Sequence, residues 1–162
     1  MLGAGEFWPA WVDYQLDRAI WDMDMVDPDC IFCKIIAGEV PSFKLYEDER
    51  VFAMMDINPF SDGHCLVITK SHAENLLGAD PNDLAAVLPA AQRICRAVET
   101  ALEPEGVNLV QANGPAAGQT VFHFHTHIFP RSLNDGAMMN WGHTPGDMTR
   151  IEKVYKQIMA AM

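Results

Sequence analysis

The stretch Val121-Phe122-His123-Phe124-His125-Thr126-His127-Ile128-Phe129 carries three histidines at strict two-residue spacing. In a β-strand, residues i, i+2 and i+4 point to one face. The row His123, His125, His127 then shares a surface. Phe122, Phe124, Thr126 and Ile128 supply the opposite, mostly apolar face. Three imidazoles that titrate near neutrality have little structural use on one surface, so the row reads as a site.

One metal ion does not suit the whole row. With a strand rise of about 3.3 Å, His123 and His127 stand roughly 13 Å apart, against a zinc–nitrogen bond of about 2.1 Å. The row must divide its labour, with one end free to ligate a metal elsewhere. Just upstream, Asn113-Gly114-Pro115-Ala116-Ala117-Gly118-Gln119-Thr120 follows the strand-like Val107–Gln111. Glycines let a backbone approach a ligand closely and turn its N–H groups outward. Asn113, Gln119 and Thr120 add polar donors, so this run reads as an oxyanion or phosphate cradle beside the histidines.

A chain of 162 residues with 49% hydrophobic content supports one domain with a true core. The net charge of −11 argues against a nucleic-acid partner. Residues 1–29 hold seven acids and one base, and so contribute −6 of it. An anion must therefore be bound by local donors. No run approaches the roughly 18 apolar residues of a membrane span, and residues 1–29 lack the pattern of a secretory signal. The expectation is a cytoplasmic protein. Residues 1–29 read as an amino-terminal extension of a domain over residues 30–162. Met1 to Phe7 resembles a vector-derived leader, with a native start near Met23 or Met25. From Trp11 to Met25 a loose helical pattern appears, suited to docking on the domain or on a second subunit.

Ile31 to Ala37 reads as a short helix ended by Gly38. Phe43–Glu47 and Val51–Asp56 read as a strand pair, Asn58–Gly63 as a loop, and Cys65–Thr69 as a strand. Asp80 caps a helix that runs to about Leu102, with Pro81 in its first turn. Leu84, Val87, Leu88, Ala91, Ile94, Cys95 and Val98 form its expected buried face, and Pro89 is expected to kink it. Val107–Gln111 and Phe122–Phe129 complete five strands. Residues 147–161 read as a terminal helix with Ile151, Val154, Tyr155 and Ile158 on one side. The order predicts an α+β domain with an antiparallel sheet. His143 lies outside every motif and reads as a surface residue.

Cys30 and Cys33 form a C-x-x-C pair. A redox dithiol is one reading, although Asp27-Pro28-Asp29 is not the strand that should precede it. Half of a four-ligand zinc site is another, with histidines as the missing ligands. Cys65 and Cys95 sit in apolar runs and read as core.

The segment NGPAAGQTVFHFHTHIFPR closely resembles the signature of the histidine triad (HIT) nucleotide hydrolases and transferases. CIFCKIIAGEVPSFKLYEDERVFAMMDINPFSDGHCLVITKSH resembles that family's amino-terminal half. The resemblance runs from about Cys30 to Arg131. Thr126 departs from it, standing where the family prefers an apolar residue. The resemblance implies a HIT-like five-stranded sheet that joins a second sheet across a homodimer. It implies Cys30, Cys33, His72 and His123 as ligands of a structural zinc. It also implies His125 as the nucleophile of a nucleotidyl-histidine intermediate. His127 and His64 would contact phosphate oxygens. Gln119, Thr120, Asn113 and Gly118 would hold the phosphate and leaving group.

Neutral imidazole attacks phosphorus without deprotonation and also leaves it readily, which suits that role. Asp56, at the end of a strand, can accept both ribose hydroxyl protons. Ile31, Phe32, Ile35, Met54 and Ile57 would wall the base, with Met54 in place of a common aromatic. The implied activity is release of a nucleoside monophosphate, AMP foremost, from a phosphoramidate or related substrate. Asn113 tilts the reading toward the Hint-like branch. The alternatives are a Fhit-like dinucleoside polyphosphate hydrolase and a non-catalytic nucleotide-binding regulator. A purine nucleotide is the expected small-molecule partner.

Overall fold

Val51, Ala53, Cys65 and Val67 alternate with Phe52, Met54, Leu66 and Ile68, so two adjacent strands are apolar on both faces. Such strands need a cover on each side. The computed structural model describes residues 27–136 and 146–162 and supplies both covers. The amino-terminal leader, the Trp11–Met25 pattern and His143 lie outside those residues.

The described elements run α1 (Ile31–Ile36), β1 (Lys44–Glu47), β2 (Val51–Met55), β3 (Cys65–Thr69), α2 (Pro81–Leu102), β4 (Gly106–Val110), a 3-10 turn (Pro115–Ala117), β5 (His125–Arg131) and α3 (Met148–Ala161). The strands form one antiparallel sheet in the order β1-β2-β3-β5-β4. This is the expected α+β architecture.

On one face, α2 packs Val87, Ala90, Ala91, Ile94 and Val98 against Val51, Ala53, Cys65, Val67, Phe124 and Ile128. Each fully buried aliphatic side chain there contributes about 1.5–3 kcal/mol. The Asp80 carboxylate accepts the Asn82 N–H and so fixes the start of α2. The helix runs on through Pro89 without a break. One expectation for its buried face fails. Leu88 is 64% exposed, because Val87, Ala91, Ile94 and Val98 already set the seam and Leu88 lies beside it. On the opposite face the short α1 covers less of the sheet. Its Phe32 and Cys33, with the preceding Cys30, pack on Phe52, Met54, Leu66 and Ile68.

The boundaries of β5 also differ from expectation. The strand begins at His125 rather than Phe122, because its ladder with β3 ends at the Ile68–His125 pair. Upstream, the Phe124 N–H donates to Ala73 O at 2.6 Å instead of to a strand partner. His123 therefore sits just off the pleat. β4 likewise starts and ends one residue earlier than the sequence pattern suggested. The stripe on α3 is present, but Ile151, Val154, Tyr155 and Ile158 are all exposed. Among the described residues, no helix is long and apolar enough to cross a membrane.

Candidate active site and metal centre

The antiparallel register decides where the histidines go. His125 pairs with Ile68 and His127 with Leu66, so both point to the face that α1 covers only in part. Thr126 pairs with Val67 on the α2 side and is buried there. The ring centroids of His125 and His127 are 4.9 Å apart.

His123, just upstream of the strand, stays on the face of His125 and His127 and lies against α1, with the Phe32 ring edge-on to both His123 and His125. His123 Nδ1 lies 3.4 Å from Cys30 Sγ, 3.6 Å from Cys33 Sγ and 3.2 Å from His72 Nδ1. His72 Nδ1 is 3.4 Å from Cys33 Sγ. A tetrahedral zinc with two sulfur and two nitrogen ligands has ligand–ligand edges of roughly 3.3–3.8 Å. These four separations, 3.2–3.6 Å, lie close to that range. Second partners fit as well. His123 Nε2–H donates to Thr69 O at 2.7 Å, which leaves Nδ1 as the bare nitrogen. Asp27 Oδ2 stands 3.9 Å from His72 Nε2. Burial pushes His123, 0% exposed, down to about 4 and the Cys33 thiol up to about 11. A bound cation takes the place of the thiol protons. The expected set Cys30, Cys33, His72 and His123 can thus hold a metal ion.

Tautomers follow from hydrogen bonds in the rest of the row. His125 Nδ1–H donates to the backbone oxygen of His123 at 2.6 Å. Its Nε2 therefore keeps a free lone pair. Burial lowers His125 below the usual histidine range, which keeps that lone pair unprotonated at neutral pH. Burial first, then the neighbouring His125 and His64, pushes His127 down to about 4. His64 lies beside His127, with His64 Nε2 2.9 Å from His127 Nδ1. Phe129 stacks on His127, with centroids 5.3 Å apart.

Asp56 follows β2 and reaches the same place. Its Oδ1 accepts the Asn58 N–H at 2.7 Å, and its Oδ2 is 3.5 Å from His64 Nε2. Of the expected base wall, Ile31 and Ile57 are exposed and Ile35 is half-buried. Phe32 and Met54 are buried beneath, and the Phe32 ring stands edge-on to His125 at 5.1 Å.

The polar residues before the row are more occupied than the sequence suggested. Gln119 is 4% exposed. Its amide nitrogen donates to Glu74 O and Val121 O, and its oxygen accepts the Gly114 N–H. Asn113 Oδ1 accepts the Leu76 N–H, and its amide donates to Gln111. Both side chains tie the Gly-rich loop to the Glu74–Leu77 segment. Thr120 is exposed, and Gly118 takes φ +86°, a conformation that suits glycine.

Comparison with known proteins agrees with this geometry. The HIT domain matches residues 37–134, which include all five strands and the whole histidine row. Protein hit of Bacillus subtilis is 46% identical over 114 residues, covering 70% of this chain and 79% of that protein. Adenosine 5'-monophosphoramidase HNT1 of Saccharomyces cerevisiae is 36% identical over 138 residues, 85% of each chain. The crystal structure of SMU.412c from Streptococcus mutans superposes with a TM-score of 0.80 at 38% identity, covering 86% of this chain and 88% of that one. A Zn-bound histidine triad family protein from Mycobacterium smegmatis superposes with a TM-score of 0.62 at 35% identity, covering 83% and 98%. The motif, the fold and these relatives agree: the chain belongs to the HIT family of nucleotide hydrolases.

Proposed function

We propose that the protein cleaves a nucleoside monophosphate, AMP foremost, from phosphoramidates or related substrates through a nucleotidyl intermediate on His125. One observation carries this reading. The His125 Nδ1–H is held by the His123 carbonyl, so Nε2 presents its lone pair from a buried, unprotonated ring. In the first step Nε2 attacks phosphorus and the P–N bond breaks. The amine leaves with the bonding pair and takes a proton from water. A second water then attacks phosphorus, the P–Nε2 bond breaks with its pair returning to Nε2, and the proton that this water loses neutralises the hydroxide left by the first. Donors aimed at the phosphoryl oxygens lower both barriers. Asp56 Oδ2 would receive ribose hydroxyls, and the exposed Ile31 and Ile57 would flank a purine. The name of the yeast relative, an adenosine 5'-monophosphoramidase, supports the phosphoramidate class.

The Cys30, Cys33, His72, His123 set would hold zinc in a structural role, supported by its edge lengths and by the Zn-bound relative. A homodimer in the cytoplasm completes the reading.

The test is a panel of adenosine phosphoramidate, AMP-lysine and dinucleoside polyphosphates, with acid-quenched capture of the adduct. The expected result is fastest turnover of the phosphoramidates and a labelled His125 peptide. Faster turnover of dinucleoside polyphosphates, or a label on another residue, overturns the assignment.

A further inference from the structure

His64, His127 and Asp56 bring three ligand-type atoms within 4.8 Å of one another, which invites a second metal site. The hydrogen bonds point elsewhere. The backbone N–H of Phe60 lies 3.1 Å from His64 Nδ1. A backbone N–H only donates, so Nδ1 is the acceptor nitrogen of His64. A neutral imidazole carries one proton, and here it must sit on Nε2. That is the atom a metal would need bare. It instead faces His127 Nδ1 at 2.9 Å. His127 Nδ1 therefore accepts, and the proton of His127 sits on Nε2. The chain runs in one direction, from the Phe60 N–H through His64 to the Nε2–H of His127.

The same geometry resists a second proton on either ring. A proton on His64 Nδ1 would oppose the Phe60 N–H across 3.1 Å. A proton on His127 Nδ1 would oppose the Nε2–H of His64 across 2.9 Å. No water relieves that opposition easily, because His64 is 3% exposed. The groups facing His127 are His64, His125 on its own strand and Asp56 from the end of β2, with Phe129 stacked on its ring. Asp56 Oδ2, 3.5 Å from His64 Nε2, favours the proton on that same nitrogen.

We propose that His64 is a positioning residue, out of contact with substrate, that locks His127 as a neutral Nε2–H donor to the phosphoryl group. The inference rests on the nucleotidyl-transfer reading of the site and reassigns His64 from the phosphate contact that the sequence implied. A neutral donor stabilises charge as it develops on phosphoryl oxygen without having to lose a proton. Aligned N–H dipoles also polarise one another along the chain. The donor strength of His127 should thus be insensitive to pH across the neutral range.

The experiment is two-bond proton–nitrogen correlation on the full chain labelled with 15N-histidine, which reads the tautomer of each ring directly. The parent protein should show His64 and His127 as neutral Nε2–H rings from about pH 6 to 8, the range that brackets the ordinary histidine pKa. In His64→Leu, His127 should show mixed tautomers and titrate. Its kcat should fall about tenfold more at pH 6 than at pH 8, with KM for the nucleotide within about threefold. His64→Gln, which keeps an N–H donor, should restore much of the loss. An Nδ1–H or doubly protonated His127 in the parent at about pH 7 overturns the proposal. So does an unchanged His127 tautomer in His64→Leu. If that variant does not fold, the parent spectra decide alone. A protein without nucleotidyl activity leaves the spectral result standing, so the two failures are distinguishable.

Discussion

His125 Nδ1 donates to the main-chain oxygen of His123 at 2.6 Å, which joins the ring proposed to attack phosphorus to a member of the Cys/His cluster through a backbone group. The orientation of the attacking nitrogen is thus set by the main chain. His125→Ala removes the nucleophile and leaves that carbonyl, the Gly-rich loop and Asp56 in place. Turnover should fall by at least about 10³, with nucleotide affinity within about threefold and an unchanged melting curve. Steady-state kinetics beside isothermal titration check this. Turnover within about tenfold of the parent would sink the nucleophile assignment.

On the proposed reading, Asp56 serves binding rather than the chemical step. Its hydrogen bonds to ribose would be equal in ground and transition states. Asp56→Ala should therefore raise KM about tenfold with kcat within about threefold. It should also shrink discrimination against deoxy analogues. Parallel assays on ribo and deoxy substrates measure the ratio, and an unchanged ratio counts against Asp56.

The Cys30, Cys33, His72, His123 cluster brings the start of α1 to residues 72 and 123. Elemental analysis should find about one zinc per chain, the capacity of a single four-ligand site. Cys30→Ser with Cys33→Ser should lose the metal and melt on the order of 10 °C lower. Chelation of the parent should lower its melting temperature before it slows the chemical step. A metal-free parent with freely titrating thiols removes the site.

Acid should destabilise the fold in a defined window. His123 and His127 are held at about 4, against 6.5 for an ordinary histidine. Between those values the unfolded chain binds protons that the folded chain refuses, so stability falls as pH drops from about 6.5 towards 4. Each ring contributes a slope of about 1.4 kcal/mol per pH unit inside the window and little above it. Urea unfolding of chelated protein at several pH values measures this. A flat profile between about pH 7 and 5 contradicts it.

Gln119 holds three backbone groups at once. Gln119→Ala leaves the Gly114 N–H, Glu74 O and Val121 O without that partner, at a cost of about 1–3 kcal/mol. Urea midpoints check the figure. Gln119→Glu should also lose stability, because a carboxylate cannot donate to the two carbonyls.

The sheet and the clustering of the histidine row were legible in the sequence through local signals. Short apolar runs bounded by turn residues marked β2 and β3, and Asp80-Pro81 marked the start of α2. What stayed hidden depends on distant partners. The apolar pattern continues smoothly from Phe122 to Phe129, and only the end of β3 shows that the strand starts at His125. Gln119 sits among glycines like a ligand donor, but its partner Glu74 O is 45 residues away. Leu88 fits a broad apolar stripe, and the width of the facing sheet excludes it. The Phe60 N–H that orders His64 carries no sequence signal, because every residue but proline offers one.

The start of β5 at His125 also bears on how such a protein can evolve. The ring proposed as the nucleophile is pinned by the carbonyl of residue 123, which any amino acid supplies. The side chain at 123 belongs to the Cys/His cluster instead. Descendants could therefore exchange both cysteines and both outer histidines for packed apolar side chains and keep the attacking geometry intact. On the proposed reading, metal binding and catalysis are separable traits, even though His123 and His125 stand only two positions apart.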